Sequence, residues 1–246
     1  VYLASLGQDA SAEVTATFVP GAVMDSFTFS ANRRASHALD DHLQKGLASK
    51  GGSGPGVLMV HEKHTSASLS VAKGDLEPGM SAIIPEKWNR EFFTHTMEGD
   101  DDMPGHLKCS LLGCNQTLPV SDGRLCLGEG QQVLLNEHRD AGGWGGGHSR
   151  SVVSVLVPAV GLWGFAASGP VQDITRQVQE AVSAQDGLAT VFVQDPGAGL
   201  AVCSAEAAEA LARCGALAVD PLCGPAILGC STSVPVSKGK LLLASS

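Results

Sequence analysis

A sequence frame that occurs twice places the strongest constraint on how this chain of 246 residues can fold. Its first copy reads LGC at 112–114 and PVSDG at 119–123, and its second copy reads LGC at 228–230 and PVSKG at 235–239. The two elements keep the same mutual spacing in both copies, which a chance match of one short motif would not do. The frame therefore predicts an internal duplication.

Ligand-type residues are distributed unequally between the two copies. All eight histidines lie within the first 148 residues, and the first copy carries an extra stretch before its LGC element that contains His95 and Glu98. Apolar and turn residues persist in the second copy, which ends before any counterpart of strands predicted at 133–136 and 152–157. We expect a complete unit at residues 26–160 and a degenerate, truncated unit without a site at 170–246.

Composition limits the classes of partner. The formal charge is −9 and the pI is about 5.3, so the chain repels phosphate backbones, and no basic patch longer than Arg33-Arg34 offsets this. The longest apolar stretch, 152–167, is interrupted by proline and glycine and is too short to span a bilayer. We expect neither nucleic-acid binding nor a membrane span. Because the chain starts at Val1, a presequence removed from the N-terminus stays an open alternative.

The cysteines indicate a reducing environment. There are seven, an odd number, and no CxxC motif occurs. Small buried thiols explain this usage better than a disulfide framework or a structural zinc cluster. We therefore expect a cytoplasmic location or a reducing organelle interior.

Hydrophobic periodicity and turn residues predict the local structure. Residues 1–25 show no clear period and are predicted to be an extension or edge strand. The predicted helices lie at 36–47, in short pieces within 75–93, from an N-cap at Asp102 to Gly113, and at 174–182 and 205–213. The predicted strands lie at 27–30, 57–60, 116–120, 124–127, 133–136, 152–157, 189–193, 232–236 and 239–244. The four strands between 116 and 157 are predicted to form a meander joined by short turns and not βαβ units.

His64, His95 and His106 are the candidate metal ligands. Three neutral imidazoles that leave one position open are typical of a catalytic Zn²⁺ site. The spacing of these residues matches no local metal motif, and a hydrogen-bonding loop histidine is the alternative for each. Their joint loss from the second copy favours a shared site.

Carboxylates near these histidines are candidates for acid/base chemistry. Glu98 and Glu137 are the two we select as catalytic residues, with solvated charge as the alternative for Glu98 and a salt bridge to Arg139 as the alternative for Glu137. The run 100–102 of three aspartates would bind Mg²⁺ together with a diphosphate, although helix capping also explains Asp102.

Three other patterns in the sequence suggest alternative sites or none. Thr65, Ser66 and Ser68 lie beside His64, but the chain has no G-x-S-x-G elbow of a serine hydrolase. The glycine-rich run 142–147 lacks the lysine of a P-loop and is predicted to be a surface insertion. His37, His42, His61 and His138 are predicted to lie on helix or strand surfaces.

Four segments of the first unit resemble the YjbQ-type family, whose members are described as secondary thiamine-phosphate synthases with weak activity. The segments are HTSASL at 64–69, HTMEGDDDMPGHLK at 95–108, the run 112–120, and EHR at 137–139. The resemblance implies an α+β fold with two packed sheets, a homotrimer, and a metal-binding histidine cluster near the subunit interface. It implies His64, His95 and His106 as ligands and Glu98 and Glu137 as site carboxylates.

Two positions depart from the family pattern. This chain has Ala72-Lys73 where the family usually has Asn-Glu, and 128–131 reads GEGQ where the family has Gly-Thr-Trp-Gln. Losing a carboxylate and an aromatic wall would abolish turnover and leave metal binding intact. The sequence thus supports two hypotheses: a Zn²⁺-dependent enzyme acting on phosphorylated heterocycles, or an inactive structural or interaction subunit of a larger assembly.

Overall fold

A computed structural model of the chain describes residues 21–50, 53–94, 96–140, 147–182, 186–214 and 220–243. Over these ranges it contains eleven strands and seven helices. The strands are β1 Ala22–Ala31, β2 Ala35–Ala38, β3 Pro55–Glu62, β4 Ala67–Ala72, β5 Asn115–Ser121, β6 Arg124–Leu125, β7 Gln132–Glu137, β8 His148–Pro158, β9 Gly187–Phe192, β10 Ser231–Ser237 and β11 Lys240–Leu241. The helices are α1 Asp40–Lys50, α2 Glu77–Ile83, α3 Trp88–Glu91, α4 Asp102–Leu112, α5 Thr175–Ala181, α6 Ala205–Ala212 and α7 Cys223–Leu228.

The strands form three antiparallel sheets, and this confirms the α+β class. The sheets have the orders β1-β8-β3-β5-β6, β2-β7-β4 and β11-β10-β9. The expected meander after α4 is wrong. β7 lies between β2 and β4 in a three-stranded sheet, and β8 lies between β1 and β3 in the five-stranded sheet. Only β5 and β6 are joined as a simple hairpin there, with a turn at Asp122-Gly123 where both residues have positive φ.

The main core lies between the five-stranded sheet and the β2-β7-β4 sheet. It combines Leu58 and Val60 of β3 with Leu69 of β4 and Leu135 of β7, and α1 closes one side. Each fully buried leucine contributes about 1.5–3 kcal/mol by leaving water. All six residues of β4 are buried because its second face is covered by α2, α4 and α7. That second face carries a polar network described below.

Local predictions near the site were mostly correct, with two corrections. The predicted helix at 36–47 begins later, because Ala35–Ala38 pairs with β7 as β2 and α1 starts at Asp40. The N-cap of α4 is Asp101 and not Asp102, although the helix does end at Gly113, whose φ is 82°. The predicted extension or edge strand at 1–25 lies mostly outside the described ranges, which begin at residue 21. β1 contains the predicted strand 27–30 and forms one edge of the five-stranded sheet.

The segment from α5 to β11 packs against the first unit. Phe192 and Cys230 reach the main core, while Cys223 and Ala226 of α7 pack on Leu76 and its neighbours. In the described ranges β9 has a strand neighbour on one side, β10, whereas β3 has neighbours on both sides. None of the described helices has the length and apolar content needed to cross a bilayer.

Replacement of Gly128 by alanine is expected to lower the free energy of unfolding by about 1–3 kcal/mol. A Cβ at this position would lie 2.1 Å from the carbonyl oxygen of Gln194, so the segment after β9 would have to move away from the loop before β7. Gly187 is the matched control, because a Cβ there meets no atom within 4 Å. Urea denaturation of both variants checks this, and equal stability of G128A and G187A would contradict the packing described here.

Candidate functional site

Four chain segments meet at one end of the two sheets of the first unit. The loop after β3 is tied to β8 because the backbone N–H of Lys63 donates to the carbonyl of Ser151 at 3.0 Å. The start of β4 pairs with the end of β7, with Ala67 opposite Glu137. The first turn of α4 lies above this junction, where a Cβ on Gly105 would contact His138 and Ser66. Strand pairing thus brings residues distant in sequence to one site.

His64 and His106 lie on two of these segments. The backbone N–H of His64 donates to Glu62 Oε1 at 2.9 Å, and its exposed ring has a pKa lowered by partial burial and by the nearby Arg150 charge. Nδ1 of His106 lies 2.8 Å from the carbonyl oxygen of Thr65, and its Nε2 lies 3.5 Å from Asp102 Oδ1. The structure therefore brings His106 to the residue that follows His64.

The third candidate ligand, His95, lies outside the described residues. Within the described ranges, no group of three or more His, Cys, Asp and Glu side chains is arranged to hold a metal ion. The zinc site with His64, His95 and His106 stays a prediction.

Glu137 is fully buried in an ion pair with Arg150. The guanidinium donates from Nε to Oε2 and from Nη2 to Oε1, both at 2.6 Å, and the backbone N–H of Arg139 donates to Oε1 at 3.0 Å. The predicted alternative of a salt bridge to Arg139 is wrong, because β8 supplies the partner. The pair fixes the carboxylate next to the His64 loop.

Glu62 is a second buried carboxyl group at this end of the sheets, and it was not among the predicted site residues. Burial raises its pKa to about 7, with the neighbouring Glu137 adding to this effect and the His64 N–H and Arg150 opposing it. Its Oε2 has no hydrogen-bond partner among the described residues. The signal was present in the sequence, because Glu62 continues the alternation of Leu58 and Val60 onto the buried face of β3.

Arg139 connects the acidic loop to the site. Its guanidinium pairs with Asp102 and lies 3.5 Å from both Asp101 Oδ1 and Glu98 Oε2. Glu98 is mostly exposed, and its catalytic role stays a prediction. Asp100 binds Arg90 on the outer side of the loop. Each aspartate of the run thus contacts an arginine.

His138 departs most from its prediction as a surface residue, because it is fully buried. Its Nδ1 lies 2.7 Å from Glu77 Oε2 on α2, and its Nε2 lies 2.9 Å from Ser68 Oγ on β4. Lys108 of α4 is also fully buried and donates to Glu77. These contacts join residues up to 70 positions apart, and no local pattern in the sequence indicates them.

The two segments that depart from the family pattern lie at the other end of the β4–β7 pair. Ala72 pairs with Gln132 there, and the Lys73 side chain lies against Gly130. The residues that follow β9 contact this segment, since Gln131 Nε2 donates to the Val193 carbonyl at 2.9 Å. In this chain the altered residues are therefore remote from His64 and Glu137.

Comparison with known proteins relates about half of this chain to one protein family. The family model described as "UPF0047 protein YjbQ-like" matches residues 25–158. The UPF0047 protein YjbQ of Escherichia coli O157:H7 is 36% identical over 138 residues, which cover 53% of this chain and 94% of that protein. The YjbQ protein of Salmonella typhimurium is 35% identical over 125 residues, covering 48% and 88% of the two chains. The crystal structure of a YjbQ/UPF0047 family protein from Clostridium acetobutylicum covers 54% of this chain and 99% of that chain, with a TM-score of 0.45 at 20% identity.

Proposed function

This chain belongs to the YjbQ-like family of UPF0047 proteins, and from that premise we propose that it binds Zn²⁺ through His64, His95 and His106. The observation that carries the proposal is the contact between His106 and the backbone of Thr65. It holds two of the three imidazoles on adjoining segments of one site.

The same contact indicates which nitrogen of His106 would bind the metal, namely Nε2, which lies 3.5 Å from Asp102 Oδ1 in the structure. A carbonyl oxygen only accepts, so Nδ1 carries the hydrogen and Nε2 keeps its lone pair when the ring is neutral. Histidine ligands of metals usually donate their other N–H to a carbonyl or a carboxylate in this way. The lowered pKa of His64 supports the neutral form of the second ligand. These two observations support His64 and His106 as neutral donors of the kind that Zn²⁺ prefers.

The reaction we propose is a transfer of the thiamine-phosphate synthase type on a phosphorylated heterocycle. A bound Zn²⁺ with one open position supplies Lewis-acid chemistry at a substrate oxygen. Glu98 is mostly exposed and is the better placed of the two proposed catalytic carboxylates, since Glu137 is engaged by Arg150. Mg²⁺ with a diphosphate substrate is a further proposal at 100–102, where it would compete with Arg90 and Arg139.

Replacement of His106 by alanine is expected to weaken Zn²⁺ binding by about 100-fold or more, and His64→Ala by a similar factor. Each removes one of three ligands, and loss of an outer-shell partner alone weakens binding by about 10–100-fold. Competition with a chromophoric chelator measures the affinity. His61→Ala is the control, because His61 Nδ1 binds Asn115 on the surface of β3. Wild-type protein that is purified without metal, does not bind added Zn²⁺ and forms no thiamine phosphate would contradict the proposal.

The second candidate function is that of an inactive structural or interaction subunit, and a degenerate second unit favours it. Four hydrogen bonds support the proposed duplication because they recur at matching positions. Two join backbone groups: Glu62 N to Cys114 O matches Val193 N to Cys230 O, and Leu69 N to Gly113 O matches Leu200 N to Gly229 O. Two involve a glutamine side chain: Gln44 Nε2 to Gly123 O matches Gln179 Nε2 to Gly239 O, and Leu125 N to Gln44 Oε1 matches Leu241 N to Gln179 Oε1.

In the proposed second unit, Asp195 takes the position of His64, so scaffold contacts are kept and the candidate ligand is replaced. We propose that the unit serves to cover the first unit and that the chain forms a homotrimer or joins a larger assembly. Seven free cysteines support a reducing, cytoplasmic or organelle environment. Light scattering of the purified chain tests the trimer, and metal-free protein that co-purifies with a larger assembly would decide for the second candidate.

A further inference from the structure

A buried array of three side chains lies directly beneath the candidate site. His138 lies 2.9 Å from Ser68 Oγ through Nε2 and 2.7 Å from Glu77 Oε2 through Nδ1, and none of the three side chains is more than 6% exposed. Ser68 Oγ also accepts from Asn136 Nδ2 at 3.1 Å, and Glu77 also binds Lys108. The array joins β4, α2 and the residues after β7.

The contacts determine the protonation of the array. Burial opposes ionisation of Glu77, but the hydrogen bonds from His138 and Lys108, together with the Lys108 charge, outweigh it and lower the pKa of Glu77. Burial lowers the pKa of His138, against the effect of Glu77. A carboxylate can only accept, so Nδ1 of the neutral ring carries the hydrogen, and Nε2 accepts from the Ser68 hydroxyl. Ser68 remains free to accept from Asn136, so every contact is satisfied.

The order of groups is that of a serine–histidine–carboxylate triad, but burial excludes a direct catalytic role. Ser68 and His138 are each 0% exposed, so the Ser68 oxygen does not reach a substrate. The position of His138 in the chain indicates another role, since Glu137 and Arg139 on either side of it are the residues that bind Arg150 and Asp102.

We propose that His138 is a positioning residue of the candidate site, held from both ring nitrogens so that Glu137 and Arg139 keep their orientation. An effect of His138 on Zn²⁺ affinity rests on the proposed function. Its effect on the orientation of Glu137 toward Arg150 is independent of any metal.

The first test is the tautomer of His138 in the wild-type protein. Long-range ¹H–¹⁵N NMR spectra of the imidazoles, with and without Zn²⁺, are expected to show a neutral ring with hydrogen on Nδ1 and an accepting Nε2. A neutral ring with hydrogen on Nε2 would overturn the proposal, because Nδ1 would then have no hydrogen to donate to Glu77. This measurement requires no variant and no bound metal.

The second test compares His138→Ala with His138→Asn, whose amide N–H takes the place of Nδ1–H toward Glu77. His138→Ala is expected to shift the Arg150 Nε–H signal and to weaken Zn²⁺ binding about tenfold. His138→Asn is expected to restore most of the wild-type Arg150 Nε–H signal and most of the Zn²⁺ affinity. His61→Asn, on the surface of β3, is expected to change neither the signal nor the affinity. An unshifted Arg150 signal in folded His138→Ala would overturn the inference.

The two readouts separate this inference from the proposed function. Wild-type protein that does not bind Zn²⁺ contradicts the metal proposal alone, because the Arg150 signal still reports the orientation of Glu137. If His138→Ala does not fold, the tautomer of the wild type and the Arg150 signal of His138→Asn decide the matter. Labelling of Ser68 by a fluorophosphonate would also overturn the inference about His138, because a reactive Ser68 would indicate a catalytic serine and not a buried structural one.

Discussion

Replacing Arg150 with methionine is expected to lower the free energy of unfolding by about 3–5 kcal/mol, the largest stability effect we anticipate for a single change near the site. Arg150 is 4% exposed and Glu137 is fully buried, and two hydrogen bonds of 2.6 Å join them. Methionine fills similar space and leaves the Glu137 carboxylate in the interior without its cation. The loss then comes from an uncompensated buried charge and not from a cavity.

Urea denaturation at neutral pH measures this effect, and two further variants identify its cause. Arg176→Met removes an exposed arginine paired with Glu180 one helical turn away and is expected to change stability by less than about 0.5 kcal/mol. The double variant Arg150→Met with Glu137→Leu removes both charges and is expected to recover much of the loss. A double variant as unstable as Arg150→Met alone would show that the buried charge is not the cause.

Most secondary structure could be predicted from the sequence because apolar periodicity and turn residues are local signals. β3, β5, the end of α4 at Gly113 and the hairpin turn at Asp122-Gly123 all follow from such signals. The order of strands could not be predicted in the same way. β8 inserts between β1 and β3, and pairing across about a hundred residues leaves no mark in either segment alone.

The candidate site could be predicted only in part, because residue types are visible in the sequence but contacts between distant residues are not. Histidines stood out as ligand types, and the structure places His106 against the His64 loop. The partners that fix the site were not visible. Arg150 and Ser68 are common residue types, and the burial of His138 depends on contacts from β4 and α2. Sequence patterns indicate which residues face a core, but not which polar groups satisfy one another inside it.

The free energy of unfolding of the wild type is expected to fall as pH rises from about 4.5 to above 7, relative to a Glu62→Gln variant. Glu62 is fully buried, and its pKa of about 7 in the folded state lies above its ordinary value of 4.5. Between these values the native state holds a proton that the unfolded chain has released, so stability decreases with rising pH. The stabilising effect is complete below 4.5 and is lost above about 7.

Glutamine keeps the size of the protonated side chain and cannot ionise, so the variant isolates this single group. We expect nearly equal stability of wild type and Glu62→Gln at pH 4.5, and an advantage of about 3 kcal/mol for the variant at pH 8. Urea denaturation across this range, with a chelator present to exclude metal ions, measures the difference. Glu129→Gln, at an exposed position, is the control and is expected to stay within about 0.5 kcal/mol of the wild type throughout. A difference between Glu62→Gln and the wild type that is the same at pH 4.5 and pH 8 would mean that Glu62 is already ionised at low pH, so that Arg150 and the His64 N–H outweigh its burial.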